Sequence, residues 1–427
     1  MVPADPLSGR QEVLDESATD TSGFFRLSSS DTATMLYSVE LDFFKDRIVM
    51  SGTDTFRVVY DTVPEGPYFR PFYMKEPLER IQLTETGPAL NQLRERFENE
   101  LGQVLRENLS GRYMLRNISF LRDFESQPWV DSLAKTDPWL DNWIKYRLAG
   151  IKVAVSPAVR DQLLDSLMDT IALPYRHPAF AGWLQTVFAG YLNEAGHGFD
   201  PAEIRNLILS GDFAGMVDHL GADSLLRKER TRELAILANC PSWVNEQLLP
   251  SPAVENLLDF MAAHSRFPEH RTIAENLSRQ MFRFTSGKPA PGFKLPDSEG
   301  EMISLDEYAG KPLYLSFIVS WSHGCLVELP LLDSLYTRYG NSITFITISM
   351  DQDFALPKKL WQERHYSWPL LYGGTDYRFI DSYGILTFPL FVLIDSEGKI
   401  YDYPAYKPSE IISQRFDALL QMERVRK

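Results

Sequence analysis

Cysteine is almost absent from this 427-residue chain: Cys240 and Cys325 are the only two. Two are too few for a disulfide framework, and neither sits in the Cys/His spacing that would hold zinc. Seven histidines occur, and His177, His197 and His219 stand without an i, i+4 partner. They read as core or surface residues, and no metal or cofactor is expected. No apolar run approaches the ~20 residues that span a bilayer. Met1-Val2-Pro3-Ala4-Asp5 lacks the basic and apolar segments of a signal peptide. The chain is therefore either cytoplasmic or a mature form whose export signal has been removed. A Lys/Arg stripe is also missing, and the net charge of −15 is spread over the whole length. That excludes nucleic acid and anionic lipid as the main partner surface.

What is present is an ordinary globular composition, 44% hydrophobic, at a length that suits two or three domains. Residues 1–22 are rich in Asp, Glu, Ser, Thr and Gly and read as a flexible leader. Residues 23–75 carry β-branched and aromatic runs broken by turn signals, with strands at 35–41, 47–50 and 55–60, a small β-rich N-terminal unit. Over 76–286 the apolar period becomes helical; in 89–109, for example, Leu90, Leu93, Phe97, Leu101 and Leu105 share a face. The prolines of this region, Pro241 among them, read as helix boundaries, which puts Cys240 at a helix end. Trp129, Trp139, Trp143, Trp183 and Trp243 are at spacings typical of helix core. From 287 onward, strands and helices alternate before a closing hairpin (388–394, 399–403) and a terminal helix (409–422). That order implies a mixed sheet flanked by helices. The expected fold class is thus multidomain α+β: β-rich unit, α-helical middle domain, and α/β domain over 287–427.

The chemistry gathers at Trp321-Ser322-His323-Gly324-Cys325. The apolar strand 313–319 leads into it, and a helical pattern follows to Tyr339. A cysteine at a helix start can be activated by the helix dipole. Dithiol exchange needs two sulfurs, one attacking and one resolving, with two residues between them. The attacking position is Ser322, whose hydroxyl neither ionises usefully nor forms a disulfide. Its simple role is an N-cap. His323 cannot serve it as a base, because adjacent helical residues do not face each other.

Residues 287–405 resemble the TlpA/ResA-like branch of the thioredoxin superfamily, the envelope thiol–disulfide oxidoreductases (redoxins). The matching residues are Gly287 through Phe293, Ser304-Leu305 with Gly310-Lys311, Trp321 through Cys325, Glu328 with Pro330, and Phe388-Pro389 before 391–395. The helices holding 232–237 and 272–277 are similar to those preceding such domains in Bacteroidota-type envelope lipoproteins. The resemblance implies a thioredoxin fold, Cys325 at the resolving position, Glu328 as a thiol-tuning carboxylate, and Pro389 as a cis-proline in a peptide-contacting surface with Phe388. Ser322 departs from it at the nucleophile, a degenerate SxxC site. The expectation is a periplasmic or outer-membrane-associated binding or scaffold module with a protein partner, an N-terminal lipid anchor on the precursor, and no dithiol–disulfide exchange. The alternative is a single-cysteine thiol oxidoreductase, or a peroxiredoxin-like peroxidase using Cys325, although Ile318 stands where peroxiredoxins carry a proline. A Cys240–Cys325 disulfide remains open, since it depends on Cα separation.

Overall fold

The computed structural model describes residues 2–17, 26–28, 31, 33–41, 44–51, 90–109, 118–168, 172–374 and 377–426. The chain divides into two compact units, and the described residues of the second are those from Arg283 onward.

The first unit opens with two antiparallel hairpins, β1 (Val2–Asp5) with β2 (Arg10–Glu12) and β3 (Met35–Leu41) with β4 (Phe44–Met50). Residues 2–12 are therefore not a free leader. Leu7 is buried in the helical core, and Asn276 donates to Asp5 at 2.6 Å while accepting from Arg10. One apolar side chain and a paired Asp–Asn contact hold down a segment whose polar composition suggests a tether. The expected strand 55–60 lies outside the described residues. Helices follow: α1 (Leu90–Leu109), α2 (Ser119–Glu125), α3 (Pro128–Ala134), α4 (Pro138–Val155), α5 (Arg160–Met168) and α6 (Pro178–Phe188). Then come α7 (Pro201–Ser210), α8 (Phe213–Leu220), α9 (Glu229–Asn245), α10 (Ser251–His264) and α11 (Pro268–Met281). Prolines start α3, α4, α6, α7 and α11, where a missing N–H costs nothing.

Pro241 corrects the boundary expected there. It lies inside α9, and Cys240 is interior and fully buried. The buried residues Leu234, Leu237, Cys240 and Trp243 keep helical spacing straight across the proline, so packing on one continuous stripe outweighs the lost backbone bond.

The second unit begins with a short hairpin, β5 (Lys294–Pro296) and β6 (Met302–Ser304). Its main sheet has the order β11-β10-β7-β8-β9, built from β7 (Leu313–Ile318), β8 (Thr344–Ser349), β9 (Leu370–Tyr372), β10 (Leu390–Ile394) and β11 (Ile400–Asp402). β7, β8 and β9 run parallel; β10 is antiparallel to β7 and to β11. Every residue of β7 is buried, as a central strand covered on both faces requires. The flanking helices are α12 (His323–Tyr339), α13 (Ala355–Arg364), α14 (Tyr377–Ser382) and α15 (Ile412–Arg426). This is the thioredoxin-like mixed sheet. α12 presents Cys325, Leu329, Leu332, Leu335 and Tyr339 to the interior at spacings of three and four. Burying each leucine is worth about 1.5–3 kcal/mol. That stripe fixes the rotation of the helix, and so decides which way Cys325 points.

Candidate functional site

The site lies where β7 turns into α12. Ser322 occupies the N-cap position with extended backbone (φ −85°, ψ 117°), and its carbonyl accepts from the Cys325 and Leu326 amides at 3.0 and 3.1 Å. Its hydroxyl makes no bond to a helix amide, contrary to the expected capping role. Cys325 follows one helical turn along on the same face, where the Ser322 hydroxyl favours the ionised thiol. Cys325 belongs to the buried stripe and has 0% exposure. Burial pushes its thiol above the ordinary value; contacts with the Val319 backbone and the Ser322 hydroxyl oppose the rise, and the charges of Asp351 and Glu328 add to it. The thiol is raised although it lies in the first turn of a helix, because burial is the largest influence on it.

The remaining sequence-derived residues are brought together around it. The Phe388–Pro389 peptide is cis. A Cβ built on Gly324 would stand 3.7 Å from Cδ of Pro389 and 3.6 Å from Oγ of Ser322, so the proline ring closes against the first turn of α12. Trp321 is half exposed and His323 exposed at the rim. Glu328 is buried, and both its oxygens are taken by Ser409, from the backbone amide at 2.9 Å and the hydroxyl at 2.6 Å. Cys240 is a free thiol buried in the core of the first unit, and Cys325 is a free thiol in the core of the second.

Residues 286–403 match the AhpC/TSA family. The thiol-disulfide oxidoreductase ResA of a Bacillus cereus strain is 30% identical over 118 residues, 27% of this chain and 67% of the relative. ResA of Bacillus thuringiensis subsp. konkukian is 31% identical over 117 residues, covering 27% of this chain and 66% of the relative. The chain belongs to the ResA-like redoxin family. It spans about two thirds of the length of the curated relatives it matches. Among solved structures, the thioredoxin domain of a thiol-disulfide oxidoreductase from Bacteroides vulgatus has 25% identity and TM-score 0.30, covering 32% of this chain and 98% of that one. A thiol:disulfide interchange protein from Bacteroides sp. has 25% identity and TM-score 0.30, covering 32% and 91%.

One residue of the redoxin site escaped the sequence reading. Asp351 follows β8 and is 3% exposed. Its carboxylate accepts from the Ser320 amide at 3.0 Å to each oxygen, and from the Ser320 and Ser349 hydroxyls at 2.8 Å. A polar residue straight after an apolar strand is the only signal in the sequence, and such a residue usually marks a turn. The parallel β7–β8 register, with Ile318 opposite Ser349, is what brings it beside the motif. No helix among the described residues is long and apolar enough to cross a membrane.

Proposed function

We propose that this redoxin domain is a protein-binding or scaffold module of the bacterial cell envelope that has lost dithiol–disulfide exchange. The observation that carries this is the Ser322–Cys325 pair: the group at the attacking position is a hydroxyl, and the remaining sulfur is fully buried with its ionisation suppressed. Ser322 stands where the ResA-like motif places its attacking cysteine, so the site keeps the frame and lacks one sulfur. The cis-proline and the exposed Trp321 and Leu386 beside the motif and the proline supply a surface for an extended protein segment. Placement in the envelope, with an export signal removed and a lipid anchor on the precursor, is inferred from the kinship with ResA. We also divide the chain as β-rich unit to residue 75, helical domain to 286 and redoxin domain to 427, with the helical domain offering most of the partner surface.

The test is turnover by the unsubstituted protein. Incubated with a small peptide disulfide and, separately, with hydrogen peroxide, it should form no mixed disulfide and consume no peroxide above a Cys325→Ala control. Turnover that depends on Cys325 would favour the single-cysteine oxidoreductase or peroxidase and remove the binding-module reading.

A further inference from the structure

We propose that Asp351 is the positioning residue of this site: its carboxylate clamps the turn that carries Cys325 and sets how readily that thiol can react. The resemblance implies Glu328, in α12 itself, as the thiol-tuning carboxylate. Yet both oxygens of Glu328 are taken by Ser409, which ties the helix to the segment before α15. Asp351 does the opposite. It reaches from the end of β8 to Ser320, the residue just before Trp321-Ser322-His323-Gly324-Cys325, and holds the backbone amide and the side chain at once. Ser349 Oγ braces it from behind, and the Met350 amide donates to the Ile318 carbonyl at 2.9 Å, so the clamp is continuous with the sheet.

The charged groups around the thiol are few. The charges of Asp351, just beyond β8, and Glu328, on α12, both act on it; Asp353 acts on Asp351 from the following turn. All three are acidic, and the charges of Asp351 and Glu328 both disfavour the thiolate. A fixed, desolvated carboxylate beside a buried thiol disfavours the thiolate while it also holds the turn shut. In a site that has given up exchange, that combination keeps the leftover cysteine quiet. The proposal rests on Cys325 being the site's thiol, as in the reading above, but it concerns ionisation and does not depend on whether turnover is seen.

The experiment follows the two cysteines by NMR in protein carrying carbon-13 at the cysteine Cβ, which reports ionisation even for a thiol that reagents cannot reach. Cys240→Ala assigns the signals. Asp351→Asn is expected to move the Cys325 titration down, as loss of a neighbouring like charge does. Glu328→Gln should move it much less. A Cys325 titration that superimposes on the parent's in Asp351→Asn, or an equal shift in Glu328→Gln, would overturn the assignment. Should Asp351→Asn fail to fold, the unsubstituted protein decides. The Asp351 carboxyl carbon must then shift as Cys325 ionises, and a flat response there would overturn the assignment equally.

Discussion

At the scale of single residues, two side chains show how burial sets chemistry in this molecule. Cys325 is one. His177 is the other: it caps α6 by accepting from the Ala179 amide at 3.2 Å, and its Nε2 donates to the Trp139 carbonyl at 3.1 Å. Burial lowers its pKa from 6.5 to about 4, against a smaller opposing effect of the Trp139 carbonyl. The unfolded chain therefore binds a proton between those values that the folded chain refuses. Stability contributed by this neutral histidine is complete above about pH 6.5 and is lost as the pH falls toward about 4, by roughly 3 kcal/mol at most. His177→Asn keeps a capping oxygen and removes the titration. Thermal midpoints measured across this acid range should then fall less steeply in the variant than in the parent. Parallel slopes would mean that other groups govern the acid limit.

At the scale of elements, the helical unit is pinned by a buried polar relay that sequence periodicity could not reveal. Glu233 on α9 accepts from Ser265 Oγ at 2.5 Å and from His270 Nδ1 on α11 at 2.6 Å, and His270 Nε2 meets the Tyr175 hydroxyl at 2.9 Å. His270 is fully buried and Glu233 nearly so. Glu233→Ala strands two buried groups at once and should cost about 1–3 kcal/mol or more. Urea midpoints would show the loss; a midpoint within error of the parent's would mean water already serves the relay. The elements themselves were largely legible. The 3–4 spacing of Cys325, Leu329, Leu332, Leu335 and Tyr339 marks both α12 and its buried face, and it already implies that Cys325 points inward. β9 was missed because three residues after Pro369 are too short to show a period. Pro241 misled because a proline signals a helix end only when packing does not carry the stripe across it. Asp351 and the Glu233 relay were invisible for one common reason: both join residues that only tertiary pairing makes neighbours.

At the scale of the whole molecule, each unit closes a core of its own. The redoxin core runs from Phe293 to Leu419 and draws on the sheet and on α12, α13 and α15. Residues 283–427 expressed alone should thus fold, with a cooperative thermal transition and the near-ultraviolet signal of packed aromatics such as Trp368 and Tyr383, both buried. A broad, non-cooperative melt would show that the remainder of the chain is needed to complete this core. Such autonomy fits the proposed loss of exchange chemistry, since the sheet and the α12 stripe owe nothing to a second sulfur.

The central claim is that one missing atom separates this site from dithiol exchange, and Ser322→Cys tests it most directly. The Cys325 amide already donates to the Ser322 carbonyl at 3.0 Å, so the two residues share one helical turn and the substituted sulfur is expected to reach the thiol. Mild oxidation of the Cys240→Ala, Ser322→Cys protein should give an intramolecular disulfide, read by mass as the loss of two hydrogens, and exchange with a peptide disulfide should appear where the parent has none. A variant that folds yet forms no such bond would contradict the account, because the frame around Cys325 would then have departed from the redoxin geometry in more than its sulfur.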